Sequence, residues 1–393
     1  MSRIGGAQVA WAPFLDGSVV HCVTTGRLYS LNSSATRLWR CLISGVDPTA
    51  SACAEAGELG VSLGEAEAQV RRFTRDLEEA GLWPRQRQPV ARVRSIAAPC
   101  AATLDGCYDV NGVPVRLRCG PPRLALALTA LLAPMRCGGD NAATRLDVWR
   151  GPAGYLLRRD GVLVGRFRNA PEARWGTVRA LLAAGDRDWL AMLHASGVAR
   201  GGSCLVISGD SGAGKSTLLA GLLVGGLDLV TDDVLPVEVG SGRVWPTRIA
   251  VSIKEGSWEM VGRLLPELTH APISRFAGRR MRLFWPRAPL TVADERGLTA
   301  VALVFPTRDS GRSVRCRRIG PAEALARTGR GGSVLPANDE GMAEFLAWLL
   351  RVPAYELAYG ALEDAVVAAR ALLDGMASAT YPHRSAGSAE AWA

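Results

Sequence analysis

Eight consecutive residues hold the densest chemistry in this chain: Gly209, Asp210, Ser211, Gly212, Ala213, Gly214, Lys215 and Ser216 fill every fixed position of G-x-x-x-x-G-K-[ST]. Glycines at 209, 212 and 214 allow a tight turn that aims successive backbone N–H groups at phosphate oxygens. The Lys215 ammonium would reach the outer phosphates, the Ser216 hydroxyl would help hold Mg2+, and Thr217 is a candidate nucleotide ligand with the loop. The predicted ligand is a nucleoside triphosphate, ATP or GTP. Sixteen residues past Ser216 come Asp232 and Asp233, two carboxylates suited to Mg2+ binding and to removing a proton from a hydroxyl. Lysine occurs at two positions only, Lys215 and Lys254, among 46 basic residues, which makes Lys254 a candidate second phosphate ligand.

The elements around these residues follow from pattern. Cys204 to Ser208 reads as a buried strand entering the loop, and Ser216 to Val224 as a helix leaving it, whose positive end adds field at the phosphates. A second core strand, Leu227 to Thr231, delivers the aspartates. His194 is expected at the end of a helix over 171–195, ahead of the loop strand. The run Val301 to Phe305 reads as another core strand, and the segments 340–351 and 361–374 as helices covering the sheet. Arg279, Arg280 and Arg282 form a basic cluster that fits either phosphate binding or a solvated face.

Composition narrows the classes. With 393 residues and 48% hydrophobic content the chain can build more than one core. No apolar run approaches the ~20 residues of a spanning helix, and the first residues lack a charged-then-apolar export signal, so a cytoplasmic protein without membrane association is expected. Nine cysteines without C-x-x-C or Cys/His ligand spacing predict free thiols rather than disulfides or zinc. The net charge of +9 suggests nucleic acid, but residues 1–83 hold seven arginines against nine acids. Phosphate neutralisation dominates DNA affinity, so that region is poorly suited to DNA and no nucleic-acid partner is expected.

The N-terminal region predicts two strands over 16–31 turning at Thr25-Gly26, a helix beginning after Asn32, and further helices at about 47–58 and 63–80. That is a small winged-helix-like module. Asp16-Gly17, the run Gly26 to Asn32, Ala35, Leu38-Trp39 and Leu77-x-x-x-Gly81-Leu82 resemble the PqqD family. The resemblance implies a partner: the leader segment of a ribosomally made precursor peptide, bound as an added strand on the hairpin edge. Pro- and Arg-rich residues 84–95 have linker composition. From 96 to 200 the sequence predicts an α+β subdomain, with strands at 108–117, 145–149 and 154–167, a helix at 122–134, and no catalytic constellation of its own.

His194-Ala195, Gly201-Gly202, the glycine loop and Leu229 to Asp233 together resemble the HPr serine kinase/phosphatase family, which shares a P-loop fold with phosphoenolpyruvate carboxykinase. The resemblance extends through Pro246 to Ile249, Ser252 to Ser257 and Pro353 to Tyr359. It implies that Asp232 or Asp233 accepts the proton of a serine hydroxyl and that His194 lies beside the transferring phosphate. The E-x-R-G-x-G signature of true HPr kinases is absent, and Ser252-Ile253-Lys254-Glu255-Gly256-Ser257-Trp258-Glu259 stands in its region. The expected chain is multidomain α/β: a PqqD-like module over 1–83, a linker over 84–95, an α+β subdomain over 96–200, an HPr kinase-like P-loop core over 201–376, and a tail over 377–393 without a core face. The function implied is ATP- and Mg2+-dependent phosphorylation of a peptide Ser or Thr. A nucleotide-gated peptide carrier and a metabolic HPr-type kinase are the alternatives; other maturation enzymes as partners, and the oligomeric state, stay open.

Overall fold

The computed structural model describes residues 2–4, 7–47, 49–50, 56, 62–82, 102–139, 141–210, 212–286, 297–309, 313–330 and 332–380. The helix expected over 47–58 falls largely outside them, as do the 84–95 linker and the chain after 380. Packing divides the chain into two units, Met1–Ala97 with Thr328–Arg351, and Ala98–Arg327 with Val352–Ala393.

The first unit is built on an antiparallel sheet of β1 (Ser2–Ile4), β2 (Ala7–Phe14), β3 (Gly17–Cys22) and β4 (Arg27–Leu31), in that order. The expected hairpin is its β3–β4 half. Strand β2 escapes a period-2 search because Val9, Ala10 and Ala12 are all buried, so it shows no alternation of polar and apolar residues. A β-carbon at Gly17 would lie 2.0 Å from the Leu31 carbonyl oxygen, so only glycine lets β3 and β4 meet there. Helix α1 (Ser33–Ser44) starts where Asn32 accepts from the Ala35 N–H at 2.8 Å and ends at Gly45 in the left-handed region. Helix α2 (Leu63–Glu79) opens with a Ser62–Glu65 capping box. These helices seal one sheet face, where Val9, Val20, Cys22 and Leu31 pack with Trp39, Leu77 and Leu82.

Register places Ala10, Ala12, Val19 and His21 on the opposite face, and all four are buried. Their cover comes from more than 300 residues further along the chain. Helix α8 (Asp339–Arg351) packs on β2 and buries Met342, Phe345, Leu346, Trp348 and Leu349. Asp339 Oδ1 accepts from the Trp11 N–H at 3.0 Å, and the Pro336 carbonyl lies 2.8 Å from His21 Nδ1. The expectation that 340–351 covers the P-loop sheet is therefore corrected. The apolar period was legible, but a helix's stripe does not say which sheet it matches.

In the second unit, β5 (Leu104–Val110), β6 (Val113–Cys119), β7 (Arg136–Cys137), β8 (Thr144–Gly151), β9 (Gly154–Arg159) and β10 (Val162–Phe167) form a sheet ordered β10-β9-β8-β6-β5-β7. Its hairpins turn at Asn111-Gly112 and Asp160-Gly161, where all four residues have positive φ. Helices α3 (Pro122–Leu131) and α4 (Ala170–Leu182) pack on it. The helix expected over 171–195 stops at 182. Beyond it β11 (Trp189–Leu193) and β12 (Ala195–Arg200) are uniformly buried strands separated by His194. A continuous apolar run carries no period to distinguish strand from helix.

Strand β12 already belongs to the sheet of the glycine loop, which therefore begins before the expected boundary at 200. That sheet also holds β13 (Ser203–Ser208), β14 (Asp228–Thr231), β19 (Thr299–Arg308), β20 (Arg315–Ile319) and β21 (Ala354–Tyr359), in the order β14-β12-β13-β19-β21-β20. Smaller sheets pair β11 with β15 (Leu235–Glu238), and β16 (Val251–Lys254) with β18 (Arg279–Phe284) and β17 (Ile273–Phe276). Helices α5 (Lys215–Val224) and α9 (Leu362–Thr380) pack together against the sheet of the glycine loop, α6 (Trp258–Leu264) lies on α5, and α7 (Pro321–Arg330) follows β20. Helix α9 runs to Thr380, four residues into the segment expected to be a tail.

Residues 1–97 alone should leave the α8-facing side of their sheet exposed. We expect that fragment to unfold without cooperativity, and fusion to residues 328–351 to restore a sharp transition. In the full chain Phe345→Ala should cost this unit about 3–5 kcal/mol, read from denaturant melts. A cooperative melt from 1–97 alone would refute the pairing.

Candidate functional site

Strand direction gathers the site on one edge of the sheet that carries the glycine loop. Strand β13 runs up into the glycine loop, and antiparallel β12 begins opposite its end, with Ala195 facing Ser208. That register puts His194 at the same edge. Strand β14 is antiparallel to β12, with Thr231 opposite Gly197, so Asp232 and Asp233 leave the sheet there too. Parallel strands β13, β19 and β21 end together, the arrangement that opens a crevice at their carboxyl ends.

The loop has the conformation its glycines predict. Gly209, Gly212 and Gly214 have φ of 136°, 98° and 99°. A β-carbon on Gly214 would also lie 2.7 Å from the Tyr359 hydroxyl, so this position excludes a side chain twice over. Lys215 is buried and its ammonium donates to the carbonyls of Gly209 at 2.9 Å and Asp210 at 3.2 Å. Burial lowers its pKa, and the charges of Asp233 and Asp232 oppose that fall. Ala213 closes the turn by donating its N–H to Asp210 O. Ser211 lies outside the described residues.

Asp232 is almost inaccessible and accepts from three directions. Ser196 Oγ donates at 2.7 Å, Ser216 Oγ lies 3.0 and 3.1 Å from its two oxygens, and the Ser252 N–H donates at 3.0 Å. These donors come from β12, α5 and β16. Burial and the neighbouring Asp233 push its carboxyl up to about 6, against the pull of those hydrogen bonds. Asp233 sits at φ 70°, a left-handed backbone held by the tight Val234 N–H to Asp232 O contact. Burial raises its pKa as well, opposed by Lys215, Arg174 and Lys254.

His194 faces the Asp233 carbonyl, with Nδ1 3.0 Å from that oxygen, and its ring meets Trp175 edge-on at 6.1 Å. Burial first, then the Lys215 charge, lower its pKa to about 4. At neutral pH the ring is therefore uncharged and donates Nδ1–H to the carbonyl. Lys254, at the end of β16, acts electrostatically on Asp233, Lys215 and His194, so it lies near these groups. Thr217 instead turns its hydroxyl to Ser257 Oγ at 3.0 Å. The basic cluster serves local structure: Arg280 pairs with Glu255, and Arg282 donates to the carbonyls of Thr269 and Ala271 while stacking on Trp258.

Among the described residues no group of three His, Cys, Asp or Glu side chains could hold a metal. A Mg2+ ion bound largely by phosphates and water needs only one or two carboxylates, and the Ser216–Asp232 pair beside the glycine cradle fits that demand.

Comparison with known proteins bears on the first unit. Residues 18–82 match the family model of coenzyme PQQ synthesis protein D (PqqD). They form a PqqD domain. The match covers β3, β4, α1 and α2 and stops short of α8, so the helix covering the far face of the sheet lies outside it. A search of curated proteins gave no match. Among solved structures, the Hpr(Ser) kinase/phosphatase from Coxiella burnetii aligns at 12% identity and a TM-score of 0.21, over 49% of this chain and 98% of its own. At that score the similarity assigns nothing to the second unit. Among the described residues no helix is long and apolar enough to cross a membrane.

Four groups near the site went unread in the sequence: Ser196, Trp175, Arg174 and the Ser252 backbone N–H. Ser196 lies two residues after His194, where a strand assignment would have placed it one pleat along on the same face. Nothing in the sequence marks Arg174 among 44 arginines.

The histidine yields a pH test. The unfolded chain takes up a proton near pH 6.5 that folded His194 refuses until about 4, so its contribution to stability falls as pH falls across that window. The slope is at most about 1.4 kcal/mol per pH unit. Asp232, raised to about 6, acts in the opposite sense, so the difference between proteins is the readout. His194→Asn should lose less stability than wild type between pH 6.5 and 4.5 in urea melts; parallel curves would refute the neutral histidine.

Proposed function

We propose that the chain is an ATP-dependent kinase that captures a ribosomally made precursor peptide through its PqqD domain and phosphorylates a Ser or Thr of that peptide. PqqD domains are peptide-binding modules of such maturation systems. Strand β4 is an edge of the sheet and exposes Arg27 and Ser30, which suits an added peptide strand. The observation that carries the kinase assignment is the buried Asp232, tied to Ser216 immediately after the P-loop lysine and set beside Asp233.

The roles divide by environment. Asp232, saturated with hydrogen bonds, would hold Mg2+ together with Ser216, and the ion would neutralise charge on the phosphates. Asp233 carries the base role because its carboxyl is not tied up by such a ring of donors and has a raised affinity for a proton. Lys215 would exchange the carbonyls of Gly209 and Asp210 for the outer phosphates. The acceptor oxygen bonds to the γ-phosphorus, the bond to the β–γ bridging oxygen breaks with its electron pair leaving on ADP, and the hydroxyl proton passes to Asp233. Neutral His194 orients the Asp233 backbone and adds no charge.

Tethering supplies the rest. A leader held on the PqqD domain raises the local concentration of an unstructured acceptor, so the site needs little affinity for the segment it modifies.

Intact-mass spectrometry of the precursor with enzyme, ATP and Mg2+ should show a gain of about 80 Da per phosphoryl group, lost when the leader is removed. Lys215→Ala and Asp232→Asn should each reduce transfer by about 10³-fold or more while leader affinity is unchanged. A precursor that binds yet gains no mass would replace the kinase with a nucleotide-gated carrier.

A further inference from the structure

Helix α4 brings an arginine to the site from a sheet layer that carries none of the expected chemistry. The Arg174 guanidinium lies between two aromatic faces, 4.6 Å from the Trp175 ring centroid and 4.9 Å from that of Phe276. This clamp fixes the plane of the group. Its Nη1 reaches Met281 Sδ at 3.9 Å, and Met281 Sδ lies 3.2 Å from Ser252 Oγ, whose own backbone N–H holds Asp232. Trp175, the other half of the clamp, meets the His194 ring.

What the guanidinium lacks is an anion. Its Nε is buried without a hydrogen-bond partner, and among the described residues no carboxylate comes within ion-pairing distance. Asp233 and Asp232 act on it through space, and it acts in return on Asp233 alongside Lys215 and Lys254. A mostly buried, unpaired guanidinium is costly, and aromatic faces recover only part of the lost hydration. A planar fork held rigid and left without its counter-ion beside a phosphate loop is suited to bidentate binding of phosphate oxygens.

We propose that Arg174 is a further catalytic residue of the phosphoryl transfer assigned above: it binds the equatorial oxygens of the group in flight. The inference rests on that function for its chemistry. As the acceptor oxygen bonds to phosphorus and ADP departs, negative charge spreads over the transferring group. Lys215 meets it from the loop and Arg174 from the α4 side. An arginine in this role typically contributes 10³–10⁵-fold to turnover.

The test uses the full-length protein and Arg174→Met, which keeps the volume between the two rings, with Arg174→Lys as a second variant. Thermal melts and binding of a fluorescent ADP establish that each variant is folded with an intact loop. ADP with Mg2+ and aluminium fluoride imitates the phosphoryl group in flight and needs no acceptor. Wild type should bind this combination at least 10²-fold more tightly than ADP alone. Arg174→Met should lose that gain with ADP affinity unchanged, and Arg174→Lys should recover little of it because an ammonium offers no fork. Where the precursor is phosphorylated, kcat should fall about 10³-fold with little change in the KM for ATP. Equal tightening in wild type and Arg174→Met overturns the proposal. A wild type that tightens but phosphorylates no precursor overturns the peptide-kinase function and leaves Arg174 as a ligand of the phosphate.

Discussion

The second unit depends on one buried carboxylate. Asp232 has almost no contact with solvent, and hydrogen bonds from β12, α5 and β16 converge on it. Burying a carboxylate without partners would shift its pKa until it became neutral; three donors oppose that and leave an acid poised near 6. The same bonds fix the geometry around it. They set the first turn of α5 against β14 and hold β16, with Lys254 at its end, beside the loop. A substitution at 232 therefore loosens three elements at once, and for that reason the site's chemistry and its local stability are hard to vary separately.

Around this carboxylate the charges are arranged to be almost balanced but not paired. Lys215 rests on carbonyls, Arg174 rests on aromatic rings, and Asp233 stands among three cations without a hydrogen bond to any of them. A site saturated with its own ion pairs would have to break them before it could take up an anion. Lys215 and Arg174 are held in place by neutral neighbours, so under the function proposed above incoming phosphates would complete the set. His194 fits the same logic: burial keeps it uncharged, so it contributes a directed hydrogen bond to the Asp233 backbone without adding a positive charge close to Lys215.

The sequence revealed those parts of the molecule whose physics is local. The glycine loop, the Asn111-Gly112 and Asp160-Gly161 turns and the Asn32 cap are each decided within a few residues. What escaped was decided by distant packing. Strands β2, β11 and β12 are largely buried and carry no alternation, so β2 was missed, β11 was absorbed into a helix, and β12 was not recognised beyond the Ala195 that ended that helix. Arg174 looks like any other arginine until Trp175 and Phe276 enclose it, and Phe276 arrives from a strand a hundred residues away.

Helix α8 is the extreme of that rule. The PqqD match ends at Leu82, yet the far face of its sheet, with Ala10, Ala12, Val19 and His21, is sealed by residues beyond 335. His21 makes the point electrostatically: burial lowers its pKa, and the Pro336 carbonyl accepts its Nδ1–H. A sheet in an isolated domain could meet water on that face; this one cannot, because a neutral buried histidine and two alanines replace the polar residues solvation would require. The chain leaves the second unit inside α7, contributes α8 to the first, and returns through Val352-Pro353 to β21, whose Tyr359 abuts Gly214 of the loop. The peptide-binding module is thus not an appendage joined by one linker. Its sheet is covered by a segment that the second unit's chain supplies from between two of its own strands, so neither unit can be removed by simple truncation without exposing apolar surface on what remains.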